Sequence, residues 1–429
     1  MTRELLIKMA RDVISHGKAN TIAKADDFYK MPSSVYFDKQ RNEDEKSLIF
    51  KRIPIVLGPS AEIPNVGDFK TMDIVNTPII ISRSKDGSVK GFMNTCMHRG
   101  SPITFEESGD TMRFTCPYHG WTYNNDGKLM GIASENDFGD VDKECFNLIS
   151  FPVYERAGII WGILNPSSEI DFESFIQDYD NMISHFGFEN WSLFAKRTIS
   201  GPNWKAGYDG YLDIYHVPVL HKNTFGPNTS NRPLYYSWGP HQRVCTVSLS
   251  KDKDRATLGY MSDLVDLDEK DWDIDTLLYG VWTVFPHASI ASFLGGGKDL
   301  EAKDEGNKGN RGVMLSVLYP GDDVNEHFTT QYYLMENPPT DEEGIANSRQ
   351  QFDLLEEIVG KEDYNMGKNQ VKSLMGGGLD ELTFGLNEKG NQNFYKWVDE
   401  VLNAKNDKEL NKFFKSLGKE KGIPVDHNT

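Results

Sequence analysis

Four residues with metal-binding side chains fall into two short pairs, Cys96-Met97-His98 and Cys116-Pro117-Tyr118-His119, with 17 residues between the pairs. Each pair is compact enough for its thiol and imidazole to reach one centre, and each sits between β-rich runs where turns can aim backbone amides at sulfur. Two thiolates and two imidazoles fit two kinds of site. One is a tetrahedral Cys₂His₂ zinc site; the other is a [2Fe–2S] cluster with thiolates on one iron and imidazoles on the other.

The flanking residues separate the two readings. Zinc needs only the four ligands, yet here the pairs stand inside CMHRG and CPYHGWTY, with Arg99, Gly100, Pro117, Tyr118, Gly120 and Trp121 around them. This arrangement resembles the Rieske family, whose motif is C-x-H, a spacer of this length, then C-x-x-H. The resemblance implies a [2Fe–2S] cluster held by Cys96, His98, Cys116 and His119. Imidazole ligation raises the potential of such a cluster above that of an all-cysteine one.

A second constellation lies in NWKAGYDGYLDIYHVPVLH, where His216 and His221 are five residues apart on a segment that reads as helix. On a regular helix that spacing leaves two rings off a common face. A helix end or a π-bulge after Val217-Pro218 would bring them together. Two imidazoles and one carboxylate form the facial triad of non-haem Fe(II) oxygenases, which leaves coordination positions open.

This stretch resembles the catalytic (α) subunits of Rieske ring-hydroxylating oxygenases, with Asn203-Trp204-Lys205, Asp209-Gly210-Tyr211, Asp213, His216 and His221 in the family's order. Asp209-Gly210 departs from it, standing where many members have Glu-Asn. The resemblance implies that His216 and His221 ligate a mononuclear iron and that Asp213 bridges an iron-ligand histidine and a cluster-ligand histidine. The family takes its third ligand from an aspartate in a C-terminal helix. In EEIVGKEDYNMGKNQVKSL that is Asp363, with Glu362 as the neighbouring competitor.

The elements that must position these residues follow from the texture of the chain. Residues 1–45 read as a helical segment packing on the catalytic domain, opened by an amphipathic helix in MTRELLIKMARDVISHGKAN. Residues 46–166 carry short β-rich runs separated by turn signals such as Lys85-Asp86-Gly87 and Asn125-Asp126-Gly127, the pattern of a small all-β domain. Residues 167–429 mix helix near 172–187 and 204–220 with strands at 244–250, 279–293, 313–319 and 328–335, and end mostly helical. The run 295–312 reads as an exposed loop. The expected fold class is α+β, a small all-β Rieske domain plus a catalytic domain with the family's helix-grip fold, an antiparallel sheet wrapped around helices.

Three weaker sets of residues remain. His287, in Phe285-Pro286-His287, either faces substrate or is a buried structural histidine. Cys145 and Cys245 have no partner at ligand spacing and read as buried thiols. Leu220, Phe225, Phe285 and Phe293 are candidate apolar walls for a substrate.

Composition narrows the partners. A formal charge of −18 opposes binding to nucleic acid or anionic lipid. No stretch of about 18 apolar residues suggests a membrane span. Four cysteines without a disulfide pattern point to a reducing compartment, the cytoplasm. No G-x-G-x-x-G after a strand and no P-loop is evident, so electrons must come from elsewhere. The resemblance supplies the source, a reductase with or without a ferredoxin, and implies O₂ and a small organic substrate, aromatic or, alternatively, non-aromatic or N- or O-methylated. It also implies a homotrimer, or an α₃β₃ assembly with a small second subunit. A pure electron carrier would leave His216, His221 and the long C-terminal region without a use.

Overall fold

The computed structural model describes residues 2–224, 226, 230–246, 263–292 and 311–417 of the 429-residue chain. Its first helix, Thr2–Ala19, buries Leu6, Met9, Ala10, Val13 and Ile14, the i, i+3, i+4 stripe of an amphipathic helix. That face lies on the C-terminal half of the molecule, where the Tyr236 hydroxyl donates to the Met9 carbonyl.

Between Ile55 and Gly162 all sheets are antiparallel. A five-stranded sheet runs in the order Ser150–Phe151, Val89–Met93, Pro78–Arg83, Asp68–Asp73, Ser108–Asp110. A second sheet joins Ile55–Pro59 to the hairpin Val153–Arg156 and Ile159–Gly162, and a third consists of Arg113–Thr115, Thr122–Asn124 and Leu129–Gly131. Phe69, Ile80, Phe92, Phe114, Trp121 and Tyr123 form a separate small core here, with Cys96 and Cys116 inside it.

The C-terminal half is built on one seven-stranded antiparallel sheet. Its order is Ser192–Gly201, His327–Met335, Gly312–Pro320, Ala288–Ala291, Val281–Val284, His241–Thr246, Pro233–Trp238. Helix Trp204–Leu212 lies against it, the Tyr208 hydroxyl reaching the Ala288 carbonyl at 2.8 Å. Helix Lys389–Asn403 packs on that helix in turn. The helix-grip expectation is met.

Helix Trp204–Leu212 is pinned at both ends by distant parts of the chain. Asn203 caps its N-terminus by accepting from the Lys205 amide, and the fully buried Lys205 ammonium pairs with Glu45, which also accepts from the Trp204 indole at 2.9 Å. One turn on, the half-buried Asp209 accepts from Tyr36, Tyr395 and Asn391. Burial pushes its carboxyl up to about 7, against the pull of those three donors.

Several sequence expectations change. The run 204–220 is not one helix: it stops at Leu212, Asp213 is extended, and a new turn runs Val217–Leu220. Pro218 explains the restart, because it has no N–H for an i→i−4 bond and is tolerated only in a first turn. The run 279–293 is a hairpin turning at Phe285–His287 rather than one strand. The strand expected at 244–250 begins at His241 and is described to Thr246; residues 247–250, Phe225, Phe293 and residues 295–310 of the expected loop lie outside the described residues. Arg311 and Gly312, placed in that loop, instead lead into and open a strand. Cys245 is buried as expected, but Cys145 is exposed, drawn to the surface by the polar run Asp142-Lys143-Glu144. Among the described residues no helix is long and apolar enough to cross a membrane.

Candidate metal centres and the cavity beside them

The two cysteine–histidine pairs occupy loops of the same design. In one, the Gly100 amide donates to the Cys96 carbonyl at 2.9 Å; in the other, the Gly120 amide donates to the Cys116 carbonyl at 3.0 Å. Both glycines are left-handed, with φ of +78° and +71°. A side chain there would cost about 1 kcal/mol or more in backbone strain. The thiols point into the small core, and the histidines sit at its edge, ring centroids 4.6 Å apart, His98 stacked on Trp121. The Tyr123 hydroxyl is 3.5 Å from the Cys96 sulfur and accepts from the Met97 amide.

This donor set fits a [2Fe–2S] cluster. Two buried thiols with no disulfide face two imidazoles, and the Nδ1 of His98 is buried with no hydrogen-bond partner among the described residues. An orphaned ring nitrogen of that kind is costly unless it has a ligand to bind.

The second centre is assembled from parts far apart in sequence. His216 precedes the short turn Val217–Leu220 and His221 follows it, which turns the rings toward each other at 5.3 Å between centroids. Asp363 closes the group, its Oδ1 lying 3.5 Å from His216 Nε2 and 3.2 Å from His221 Nε2. The three ligand atoms all fall within 4.8 Å of one another, a spacing one ion can span. Two imidazoles and a carboxylate converging from one side fit a mononuclear Fe(II) with open positions.

Each ring is held from behind by a second carboxylate. His216 Nδ1–H donates to Asp213 Oδ1 at 2.8 Å, and the same oxygen accepts the His216 amide. His221 Nδ1–H donates to Glu362 Oε2 at 2.6 Å, and Thr224 donates to that oxygen at 3.1 Å. Carboxylates in this position fix the tautomer and leave Nε2 free to bind a metal. Burial opposes charge on His216, but Asp213 and Asp363 outweigh it and raise its pKa to about 10. The same ring pair holds Asp363 below the usual carboxylate range despite burial.

Glu362 and Asp363, competitors for one role in the sequence, therefore have different roles in space. A π-helical segment, Glu357–Asp363, makes that possible. Its wider turn advances fewer degrees per residue than an α-helix, so adjacent carboxylates reach opposite nitrogens of one ring. Of the two routes the histidine spacing suggests, the helix end is the one found, with His216 and His221 flanking the short turn Val217–Leu220.

Beside the triad lies a cavity of about 290 Å³. Its floor is the catalytic sheet, through Val281, Ala291, Met314, Ser316 and Gln331, and its roof includes Leu354, Leu355, Ile358 and Val359. His216, His221, Asp363 and Asp213 form one end. Of the expected apolar walls, Phe285 is instead in the core against Phe394, and Leu220 does not line the cavity. His287 is structural: it accepts from the Val56 amide at 3.0 Å and donates to the Leu318 carbonyl at 2.7 Å, tying the β-rich half to the catalytic sheet. Burial lowers its pKa to about 3, so the ring is neutral.

Comparison with known proteins agrees with this geometry. The Rieske [2Fe-2S] domain family matches residues 54–148, and the ring hydroxylating alpha subunit catalytic domain matches residues 188–296 and 308–404. The glycine betaine monooxygenase oxygenase subunit of Pseudomonas aeruginosa is 30% identical over 206 residues, 47% of each chain. The anthranilate 1,2-dioxygenase large subunit of Acinetobacter baylyi is 30% identical over 206 residues, 46% of this chain and 44% of that one. The matched stretch thus spans about half the length of these curated relatives. Naphthalene 1,2-dioxygenase with indole bound has the same fold, with a TM-score of 0.69 at 19% identity, over 91% of this chain and 96% of that one. With both domains matched in order along one chain, the protein belongs to the Rieske non-haem iron oxygenase family, as an α subunit.

Proposed function

We propose that this chain is the terminal component of an oxygenase that uses O₂ and electrons from a reductase, directly or through a ferredoxin, to hydroxylate a small aromatic compound by mono- or cis-dihydroxylation. The observation that carries the proposal is the convergence of His216, His221 and Asp363 at the end of a largely apolar cavity. When bound, the cluster would store and supply single electrons, and the Fe(II) would offer open positions at which O₂ meets substrate.

The chain's own residues have distinct parts in this reading. Cys96, Cys116, His98 and His119, within a domain spanning 46–166, hold the cluster. His216, His221 and Asp363, within 167–429, hold the iron, while Asp213 and Glu362 orient the two rings. The apolar walls keep water from the reacting end and position the substrate.

Asp213 has a second part in the proposal. One of its oxygens is taken by His216, and the carboxylate is partly exposed. Exposed apolar side chains flank both centres, Tyr118 and Phe138 near the cluster loops and Tyr215 and Val219 near the iron ligands. Complementary patches of that kind suit a head-to-tail ring. In a ring of three, with or without a small second subunit, His119 of one copy would lie against Asp213 of the next. Free cysteines and a need for reductase support a cytoplasmic location for such an enzyme.

The name of the glycine betaine relative keeps open an oxidation at a methylated nitrogen. The cavity argues for the aromatic reading. The test is a substrate panel with a generic reductase, scored for NADH-coupled O₂ uptake and product mass. An aromatic substrate that gains oxygen supports the proposal; turnover confined to demethylation of N-methyl compounds would overturn it.

A further inference from the structure

One polar group in the cavity is unexplained by the metal centres. Gln331, on strand His327–Met335, is fully buried, and its side chain lines the cavity beside Ser316, its register partner on the next strand. Its carbonyl Oε1 accepts from the Nε of Arg197, directly across the other strand pairing, at 2.7 Å. That fixes the amide, because a guanidinium only donates and the oxygen must face it. Arg197 cannot easily turn away. It stacks on Phe352 with its charge 3.7 Å from the ring centre, donates to the Phe352 carbonyl and pairs with Glu356 at 3.2 Å.

The Nε2 of Gln331 is therefore left aimed away from Arg197, and it has no hydrogen-bond partner among the described residues. A buried donor without an acceptor is destabilising until something accepts from it. Gln351, the other amide lining the cavity, also has its carbonyl occupied, by the Tyr333 hydroxyl at 2.8 Å. Gln331 thus offers an unsatisfied donor on the floor of a largely apolar cavity. Among the described residues no Lys or Arg lines the cavity, and its charged groups are the carboxylates and histidines at the metal end. A substrate carboxylate would find no Lys or Arg counter-charge among the described lining residues.

We infer that the substrate is a neutral, largely apolar ring compound carrying one hydrogen-bond acceptor, such as a ketone or ether oxygen, and that Gln331 Nε2 donates to that acceptor and sets which edge of the ring faces the iron ligands. This rests on the oxygenase reading and deepens it by naming the substrate class. The cavity, at about 290 Å³, stands at the lower end of the ~300–1,000 Å³ usual for small-molecule sites, which suits one or two rings.

The test is calorimetric titration of the holoprotein with indane, 1-indanone, indane-1-carboxylate and N,N,N-trimethylanilinium. Wild type is expected to bind 1-indanone about tenfold more tightly than indane, the worth of one hydrogen bond to an otherwise unsatisfied donor, and to bind both ions more weakly than the ketone. Gln331→Leu should bring the ketone and the hydrocarbon level. Gln331→Glu keeps an acceptor for Arg197 but replaces the donor by an oxygen, so it should fold as wild type, retain indane and prefer it over the ketone. Equal affinities of indane and 1-indanone in wild type, no binding of either, an unchanged ratio in Gln331→Glu, or tighter binding of either ion than of the ketone would overturn the inference. The readout is binding, so a chain that binds as predicted yet turns nothing over would contradict the oxygenase reading alone.

Discussion

The two candidate metal centres of this chain are built in opposite ways. The cluster loops are local: each is a few residues long, closes on its own backbone hydrogen bond and ends on a left-handed glycine. The iron site joins a restarted helix to a π-helical segment more than a hundred residues later, and its ring orientations depend on two further carboxylates. The lesson is that a centre can be specified by sequence motif alone when its geometry is closed locally. A centre closed by tertiary structure depends on supporting residues that no short motif contains.

That contrast can be broken by mutation, and the largest effect is expected at Asp213. Asp213→Asn preserves size and leaves both metal sets intact, yet exchanges an acceptor oxygen for a donor at the point where the two centres are proposed to meet. Multiple-turnover rate should fall about 100-fold, with slow cluster reoxidation on stopped-flow mixing of reduced protein, substrate and O₂. Normal reoxidation would mean that electrons do not cross there.

Glu362 is next. Glu362→Ala removes the acceptor from His221 Nδ1 but none of the three ligand atoms, so iron should bind about 10- to 100-fold more weakly, measured by competition with a chelator. The cluster should be untouched. An unchanged iron affinity would show that Thr224 and packing suffice to hold the ring.

The last effect is on stability rather than on rate or metal, at Asp209. Its folded-state pKa of about 7 lies above the usual carboxyl value. The protonated form is therefore favoured by folding, and the contribution, full below about pH 4, is lost as pH rises to about 7 at up to about 1.4 kcal/mol per pH unit. Asp209→Asn cannot titrate and still accepts from Tyr36 and Tyr395. Urea midpoints between pH 4 and 7 should fall less steeply for the variant than for wild type; parallel curves would place the proton elsewhere.

How much of this was legible depends on the same distinction. Cys96, His98, Cys116 and His119 announce themselves because their flanking glycines and aromatics are part of the loop that holds them. The helix expected over 204–220 misled because its periodicity continues through the break, although Pro218 was the available signal. Glu362 could be seen only as a rival to Asp363, since nothing in a sequence tells which of two adjacent acids a π-helical turn sends to which nitrogen. His287 had no local mark of its structural role, which lies in backbone atoms of Val56 and Leu318. Gln331 was silent too: one alternating position in a strand becomes informative only when Arg197 is found opposite it.

The central claim is that one chain carries two separable iron centres, and metal content per chain tests it most directly. Iron and acid-labile sulfide should be about three and two in wild type, the sum of a [2Fe–2S] cluster and one mononuclear ion. Asp363→Ala should retain about two of each, and Cys116→Ser, in which a hydroxyl replaces a cluster thiolate, should lose all sulfide. Wild-type protein with about one zinc and no sulfide, or an Asp363→Ala variant that keeps all three irons, would contradict the account.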